Sequence, residues 1–409
     1  MISEFPIVLY GAGGRAAFEK EKAEACGYNF ECFVDADINK QETVYLGLPV
    51  LSLERAKEQL GNFYLYLTPE QKRHREIFEY LLERGIEETH ILNAMEECAS
   101  CSMLDTHLIL TSEGIFGCCV TNDTVNSPPN VRWDDNDWDT EITLTKFFDM
   151  RNALRNSIRL GEKCNCTGCS QIQNSVRPIK NIVSVISFTF NCPCQLSCNY
   201  CVKLFDKDHF YLGFDYKRFV GVLERRRLLA RDASTTWGNG EVTIHPRVDD
   251  FLDAVCNYKL YLFTNAVVYN ERIAEMSARP GSCQVVSIDA GTPKTYKLIK
   301  GMDAYDTVFA NVKNYSNCGA NMFLKYIFIK ENSNEDDVIG FVNMAIETGA
   351  KKIIIAADHF RREPFSDEQL RLMVKMLNMA EQNGLAFEFA LSIKQDEREA
   401  ILQLKSQND

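Results

Sequence analysis

Residues 181–201 read Asn-Ile-Val-Ser-Val-Ile-Ser-Phe-Thr-Phe-Asn-Cys-Pro-Cys-Gln-Leu-Ser-Cys-Asn-Tyr-Cys. The β-branched and aromatic run over 182–190 predicts a strand. Immediately after it, Cys194, Cys198 and Cys201 fall at intervals of four and three. With 16 cysteines in 409 residues, a +4, +7 pattern is expected by chance only about 0.02 times. Three thiolates on one short loop can hold three irons of a four-iron cubane and leave the fourth iron open, whereas a structural cluster closes all four corners. A zinc knuckle is the competing reading, but zinc takes four closed ligands with paired C-x-x-C spacing.

Downstream of this loop, strand signals recur at 234–237, 259–264, 284–289, 323–329 and 352–357, separated by helical patterns. In one of these, Val338, Phe341, Val342, Ala345 and Ile346 share a face, and Gly349 stops the helix. Ser366-Asp367-Glu368-Gln369 forms a capping box ahead of a later helix. Six strands with intervening helices predict an α/β fold with a partial (β/α)6 TIM-type barrel over 181–360, whose active site assembles at the C-terminal strand ends. A helix/strand/helix extension follows over 361–409.

Upstream, residues 1–95 alternate strand and helix signals and predict a small doubly wound, Rossmann-like domain. Its first strand runs into Gly11-Ala12-Gly13-Gly14-Arg15-Ala16, and a second ends at Asp35. Gly11, Gly13 and Gly14 permit close backbone approach to a phosphate, and Asp35 stands where a ribose is bound in the nucleotide template. The turn reads equally well as tight packing that binds nothing. Residues 96–180 form a cysteine-rich linking module, with a loop-like stretch over 121–139 rich in Asn, Asp and Pro. The scattered Cys26, Cys32, Cys256, Cys283 and Cys318 are expected to be small core residues.

The net charge of −12 leaves no strongly basic footprint for nucleic acid. No apolar run reaches the ~18 residues of a spanning helix, and the N-terminus lacks a basic region with a cleavage site. A cytoplasmic protein with no nucleic-acid partner and no membrane span is expected.

The triplet, with Tyr200 before its third cysteine, resembles the signature of the radical S-adenosylmethionine (SAM) superfamily. Matching segments follow in the family's order over roughly 181–360. Asn239-Gly240-Glu241 resembles its Gly-Gly-Glu motif, which binds the methionine amino group. Thr264-Asn265-Ala266 resembles its Thr-Asn-Gly strand end, and Ser287-Ile288-Asp289-Ala290, followed by Thr295-Tyr296 and Gly301, resembles the strand that contacts the ribose. Asn239, Val242 and Ala266 depart from the family's residues without removing a ligand. The resemblance implies a [4Fe-4S] cluster on Cys194, Cys198 and Cys201, S-adenosyl-L-methionine as cofactor, and a flavodoxin- or ferredoxin-like electron donor. It implies a 5′-deoxyadenosyl radical that abstracts hydrogen from a substrate, with Tyr200, Asn239, Gly240, Glu241, Thr264, Asn265, Ser287 and Asp289 around the cofactor.

Cys101, Gly114 and Cys119, then Cys166-Thr167-Gly168-Cys169, resemble the opening of a SPASM-type auxiliary-cluster module, here ahead of the barrel. Cys101, Cys119, Cys166 and Cys169 are the implied ligands of a second iron–sulfur cluster. Cys98, Cys118 and Cys164 are substitutes, and a four-cysteine zinc site is the alternative. Residues 1–95 resemble the N-terminal domains of nucleotide-sugar acetyltransferases through Gly11-Ala12-Gly13-Gly14, Phe33-Val34-Asp35 and Gly47-Leu48-Pro49-Val50. By that analogy the small-molecule substrate is a sugar or nucleotide sugar. A peptide-modifying radical SAM maturase and a non-catalytic metal- or cluster-binding scaffold are the competing readings.

Overall fold

The structure, a computed structural model, describes residues 5–118, 130–133, 140–169, 171–190, 192–201, 213–358, 361, 363–390 and 392–407. The fold is mixed α/β with largely parallel sheets, and it divides into two compact units. The first comprises Met1–His107, Phe116–Val183 and Val222–Ala230. The second comprises Leu108–Ile115, Ser184–Gly221 and Arg231–Asp409.

In the first unit a five-stranded sheet runs in the order Val44–Tyr45, Leu48–Leu51, Phe33–Val34, Ile7–Tyr10, Tyr64–Leu67. All pairs are parallel except the first. Ile7–Tyr10 and Tyr64–Leu67 are apolar at every position because both sheet faces are covered. One face packs Val8, Leu65, Ile77 and Leu81 together, and the other packs Leu9, Ala16, Phe33 and Val50. Sheet growth reverses beside Ile7–Tyr10, which places the Gly11 turn at that reversal.

The same unit holds an antiparallel pair, Met95–Ser100 with Gln173–Pro178, and the 21-residue helix Thr140–Leu160. Its buried stripe includes Arg151 and Arg155. Arg155 and Arg177 share Asp105 at 3.1 and 3.2 Å, and Arg177 also reaches Glu96 at 2.9 Å. These are charges whose burial is tolerated because each is paired.

In the second unit the sheet runs Ala386–Phe389, Lys352–Ala357, Met322–Phe328, Cys283–Ser287, Lys259–Thr264, Leu229–Trp237, Val183–Phe188, and on to His107–Leu110 and Gly114–Phe116. From Leu229–Trp237 to Ala386–Phe389 the neighbours pair in parallel. Helix Glu335–Glu347 forms on the expected apolar face, although Ile346 is 40% exposed. The capping box at Ser366 is present. The strand Ala386–Phe389 joins the same sheet as Lys352–Ala357.

The scattered cysteines divide: Cys32 and Cys283 are buried and Cys256 is half-buried, but Cys26 and Cys318 are exposed. That corrects their assignment to the core. Both exposed residues occupy the position just after a helix, where the chain turns at the surface.

Helix Glu335–Glu347 approaches the 290s loop so closely that a Cβ on Gly340 would lie 2.1 Å from the Gly291 carbonyl oxygen. The contact is backbone, so it cannot be relieved by a side-chain rotation. Asp337 fixes the approach by accepting from Gly291 N at 2.8 Å and Thr292 N at 3.0 Å. Gly340→Ala is expected to cost about 1–3 kcal/mol or more through overpacking, read as a lowered midpoint in equilibrium denaturation.

Candidate active site

The C-terminal ends of the second unit's strands gather the cysteine triplet with Tyr200, Asn239, Glu241, Thr264, Asn265, Ser287 and Asp289. The triplet loop leaves strand Val183–Phe188 and is held to its neighbours mainly by backbone hydrogen bonds. Ser197 N donates to Lys300 O and Asn199 N to Ile299 O, each at 3.0 Å. Gly301 lets the loop seat, since a Cβ there would lie 2.1 Å from Ser197 Oγ. Gly240, at φ +69°, would place a Cβ 2.1 Å from the Cys192 carbonyl oxygen. Cys192, unexplained by its sequence, is buried, and its thiol donates to the Glu241 carbonyl at 3.2 Å. Glu241 N in turn donates to Pro193 O at 3.0 Å.

Glu241 is fully buried. Its Oε1 accepts from Thr243 N (3.1 Å), Thr243 Oγ1 (2.7 Å) and Thr264 Oγ1 (2.8 Å), and its Oε2 accepts from Asn265 N (2.6 Å). Burial nevertheless outweighs these donors and holds its pKa above the ordinary carboxylate value. The carboxylate thus ties two strand ends together. Asn239 serves the same loop, its Nδ2 donating to Thr189 O at 3.2 Å. Ala266 follows at φ +55°, in the left-handed region.

Asn265 is braced on both sides. Its Oδ1 accepts from Gln195 Nε2 at 3.2 Å and Val267 N at 3.0 Å, which turns Nδ2 toward Cys194 Sγ at 3.6 Å. Burial pushes the Cys194 thiol up, while Leu196 N and Asn265 oppose it. Tyr296 is buried against the same loop, and its hydroxyl has no hydrogen-bond partner among the described residues.

A second charged knot lies at the next strand. Asp289, buried and at φ +57°, accepts from Lys300 Nζ and Tyr200 OH, each at 2.5 Å, and from Ile327 N at 2.7 Å. It does not cap the following helix; Thr292 does. Burial, then Asp289 and Cys198, push the Tyr200 hydroxyl well above its ordinary pKa. Ser287 ends its strand opposite Lys325, and burial, with Lys300 adding to it, lowers the Lys325 pKa. Sequence reasoning passed over Gln195, Lys300 and Lys325, and placed Tyr296 in the matched segment after Asp289 without giving it a role. Of the three passed over, only Lys300 carried a signal, its place directly before Gly301 in the matched segment. Beside Tyr200 opens a cleft of about 340 Å³ lined by Asn199, Phe328, Lys330, Asp358 and Arg361 among others.

Among the described residues, no three His, Cys, Asp or Glu side chains converge on a point where they could hold a single metal ion. The triplet nonetheless suits an iron–sulfur cubane, where each thiolate takes a different iron. Cys194 and Cys201 are exposed and Cys198 half-buried on a clamped loop, with an amide donor already on one sulfur.

In the first unit, Cys101, Cys164 and Cys166 pack against Leu104, Leu154 and Ile158. Burial pushes the Cys166 thiol up to about 11, with Cys164, Cys118, Cys169 and Cys101 adding to the rise in that order. Cys101, Cys164 and Cys166 thus share one apolar cluster, with Cys118 and Cys169 within electrostatic reach of Cys166; Cys119 lies outside the described residues. At the N-terminal turn, Asp35 Oδ2 accepts from Ala12 N at 2.7 Å and pairs with Lys40 at 3.2 Å. Gly11, at φ +102°, sits against Thr68 and Pro69, while Gly13 and Gly14 face open space.

No family model matches the chain, and no curated protein matches it. Among solved structures it is similar to Streptococcus suis SuiB bound to precursor peptide SuiA, with 15% identity, a TM-score of 0.44 and coverage of 75% of each chain. SuiB bound to S-adenosylmethionine gives 15% identity and 0.41, over 71% of this chain and 72% of that one. Native anSMEcpe with bound AdoMet gives 11% and 0.40, over 50% and 63%. Among the described residues no helix is long and apolar enough to cross a membrane.

His245 supplies a pH test of this region. It is buried with its ring 5.1 Å from that of Trp237, and its Nδ1 accepts from Arg247 N at 3.1 Å. Burial and Arg247 lower its pKa to about 4. The unfolded chain therefore takes up the proton first, so this contribution is intact above about pH 6.5 and is lost as pH falls toward 4. Denaturant titrations across that window should show stability falling by up to about tenfold in the unfolding equilibrium per pH unit from this group. His245→Phe should flatten the slope by one proton.

Proposed function

We propose that the chain is a radical SAM enzyme that binds a [4Fe-4S] cluster on Cys194, Cys198 and Cys201 and abstracts hydrogen from a small-molecule substrate. The observation that carries this reading is the clamped three-cysteine loop at the strand ends, with the cofactor-motif residues arranged around it. The second unit's parallel sheet is read as a partial (β/α)6 barrel, and the first unit's five-stranded sheet as a doubly wound, Rossmann-like domain. When bound, the cluster and S-adenosylmethionine supply reductive cleavage of a sulfonium and the hydrogen-abstracting radical.

The protein's own part is positioning and exclusion of water. Glu241 fixes the strand ends, with Thr264 and the Asn239-Gly240 turn completing the cofactor edge. Tyr200, Ser287 and Asp289 form the opposite wall. The cleft beside Tyr200 carries Lys330, Arg361 and Asp358, which suits a polar substrate, and a sugar or nucleotide sugar is the class taken from the first unit's likeness. Cys101, Cys119, Cys166 and Cys169, with Cys118, Cys98 or Cys164 as substitutes, are read as an auxiliary cluster site, with a flavodoxin or ferredoxin as electron donor in a cytoplasmic setting.

Anaerobic reconstitution of wild type and Cys198→Ala tests the reading. The variant should lose about four irons and four sulfides relative to wild type, and only wild type should release 5′-deoxyadenosine under dithionite. Zinc in place of iron, or no cleavage despite full loading, would overturn it. Thermal-shift screening should show stabilisation by nucleotide sugars; saturable capture of a leader peptide instead would favour a peptide substrate.

A further inference from the structure

The Asn265 carboxamide is aimed with more care than a surface amide needs. Its backbone N–H is already committed to Glu241 Oε2 at 2.6 Å, so the strand end would hold without the side chain. The side chain has its own network. Gln195 Nε2 and Val267 N both donate to Oδ1, at 3.2 and 3.0 Å. With the oxygen end occupied by two donors, the NH₂ end is the one that faces Cys194 Sγ, at 3.6 Å. Asn265 is only 9% exposed, so water competes weakly for that N–H. Gln195 belongs to the cysteine loop itself, so the loop orients the amide that in turn donates to it.

We propose that Asn265 is a positioning residue that sets the reduction potential of the centre on the triplet loop, by hydrogen-bonding the Cys194 sulfur. The inference rests on the proposed function, since it needs Cys194 to be a cluster ligand. A ligand sulfur gains negative charge when the cluster accepts one electron. An N–H donated to it stabilises the reduced form more than the oxidised form and raises the potential. Because the amide is neutral, it does this without adding a charge that would alter cofactor binding. The effect counts in a chemistry where the cluster must be among the most reducing and still be reachable by a cellular one-electron donor.

The test is an EPR-monitored redox titration of the reconstituted full chain, following the signal that Cys198→Ala lacks. Asn265→Ala keeps the backbone bond to Glu241 and removes the donor. Its midpoint should move negative, with the oxidised-to-reduced ratio at fixed potential rising by about tenfold, equivalent to 59 mV for one electron. Gln195→Leu leaves Asn265 in place but releases its orientation, and should move the midpoint the same way by less. Gln195→Leu also keeps the test decisive should Asn265→Ala not fold. A fully loaded variant with an unmoved or more positive midpoint would overturn the inference alone. A wild-type chain that takes up no iron and sulfide would overturn the proposed function and this inference with it.

Discussion

A single buried carboxylate holds the site in register. Glu241 accepts four hydrogen bonds from Thr243, Thr264 and Asn265, and its main chain is bonded on both sides to the Cys192–Pro193 segment that leads into the cysteine loop. Two strand ends and the loop entrance thus share one residue. Such an anion is costly to bury unless every lone pair is engaged. Its donors are backbone amides and threonine hydroxyls, which are fixed by the strands themselves, so the carboxylate and the strand ends define each other's positions. Asp289 does the equivalent on the far side, gathering Tyr200 from the cysteine loop, Lys300 from the following helix and Ile327 from the neighbouring strand. The loop is therefore held between two acids, one satisfied by neutral donors and one by a lysine.

Much of this was legible in the sequence because it is periodic or closely spaced. The strands of the second unit announce themselves as short apolar runs, the Ser366 capping box is local, and the triplet needs only three residues within eight positions. The helix Thr140–Leu160 did not announce itself. Arg151 and Arg155 lie on its buried stripe, so the apolar period is broken where the helix is most buried. Their partners, Asp105 and the carbonyls of Leu104, Ile179 and Pro178, come from distant segments. A polar residue that is buried because of something remote in sequence leaves no periodic trace.

The candidate site was legible in its closely spaced cysteines and illegible in the residues that brace them. Glu241 and Asp289 were singled out by a likeness that assigns them to cofactor contacts; the structure shows their carboxylates engaged by the protein's own donors. Gln195 had no signal, since a glutamine inside a cysteine loop is ordinary until its neighbours are known, and Tyr296 stood in the matched segment with no role attached. Asp35 teaches the same lesson in the first unit. Its spacing from the glycine turn fits a ribose contact, yet its oxygens are taken by Ala12, Asp37 and Lys40.

Ala266 closes the strand end beside Asn265 in a backbone region where a methyl group is disfavoured by roughly 1 kcal/mol. The conformation is kept by Thr264 Oγ1, which accepts from its N–H, and by Asn311, whose amide reaches the Ala266 and Val267 carbonyls at 2.9 and 3.1 Å. A glycine would relax this corner but would also let it sample other shapes in the free chain. Alanine narrows that repertoire, so the hinge carrying Asn265 behaves as a stiff bracket: mild native strain is exchanged for fewer competing orientations of the residue ahead of it.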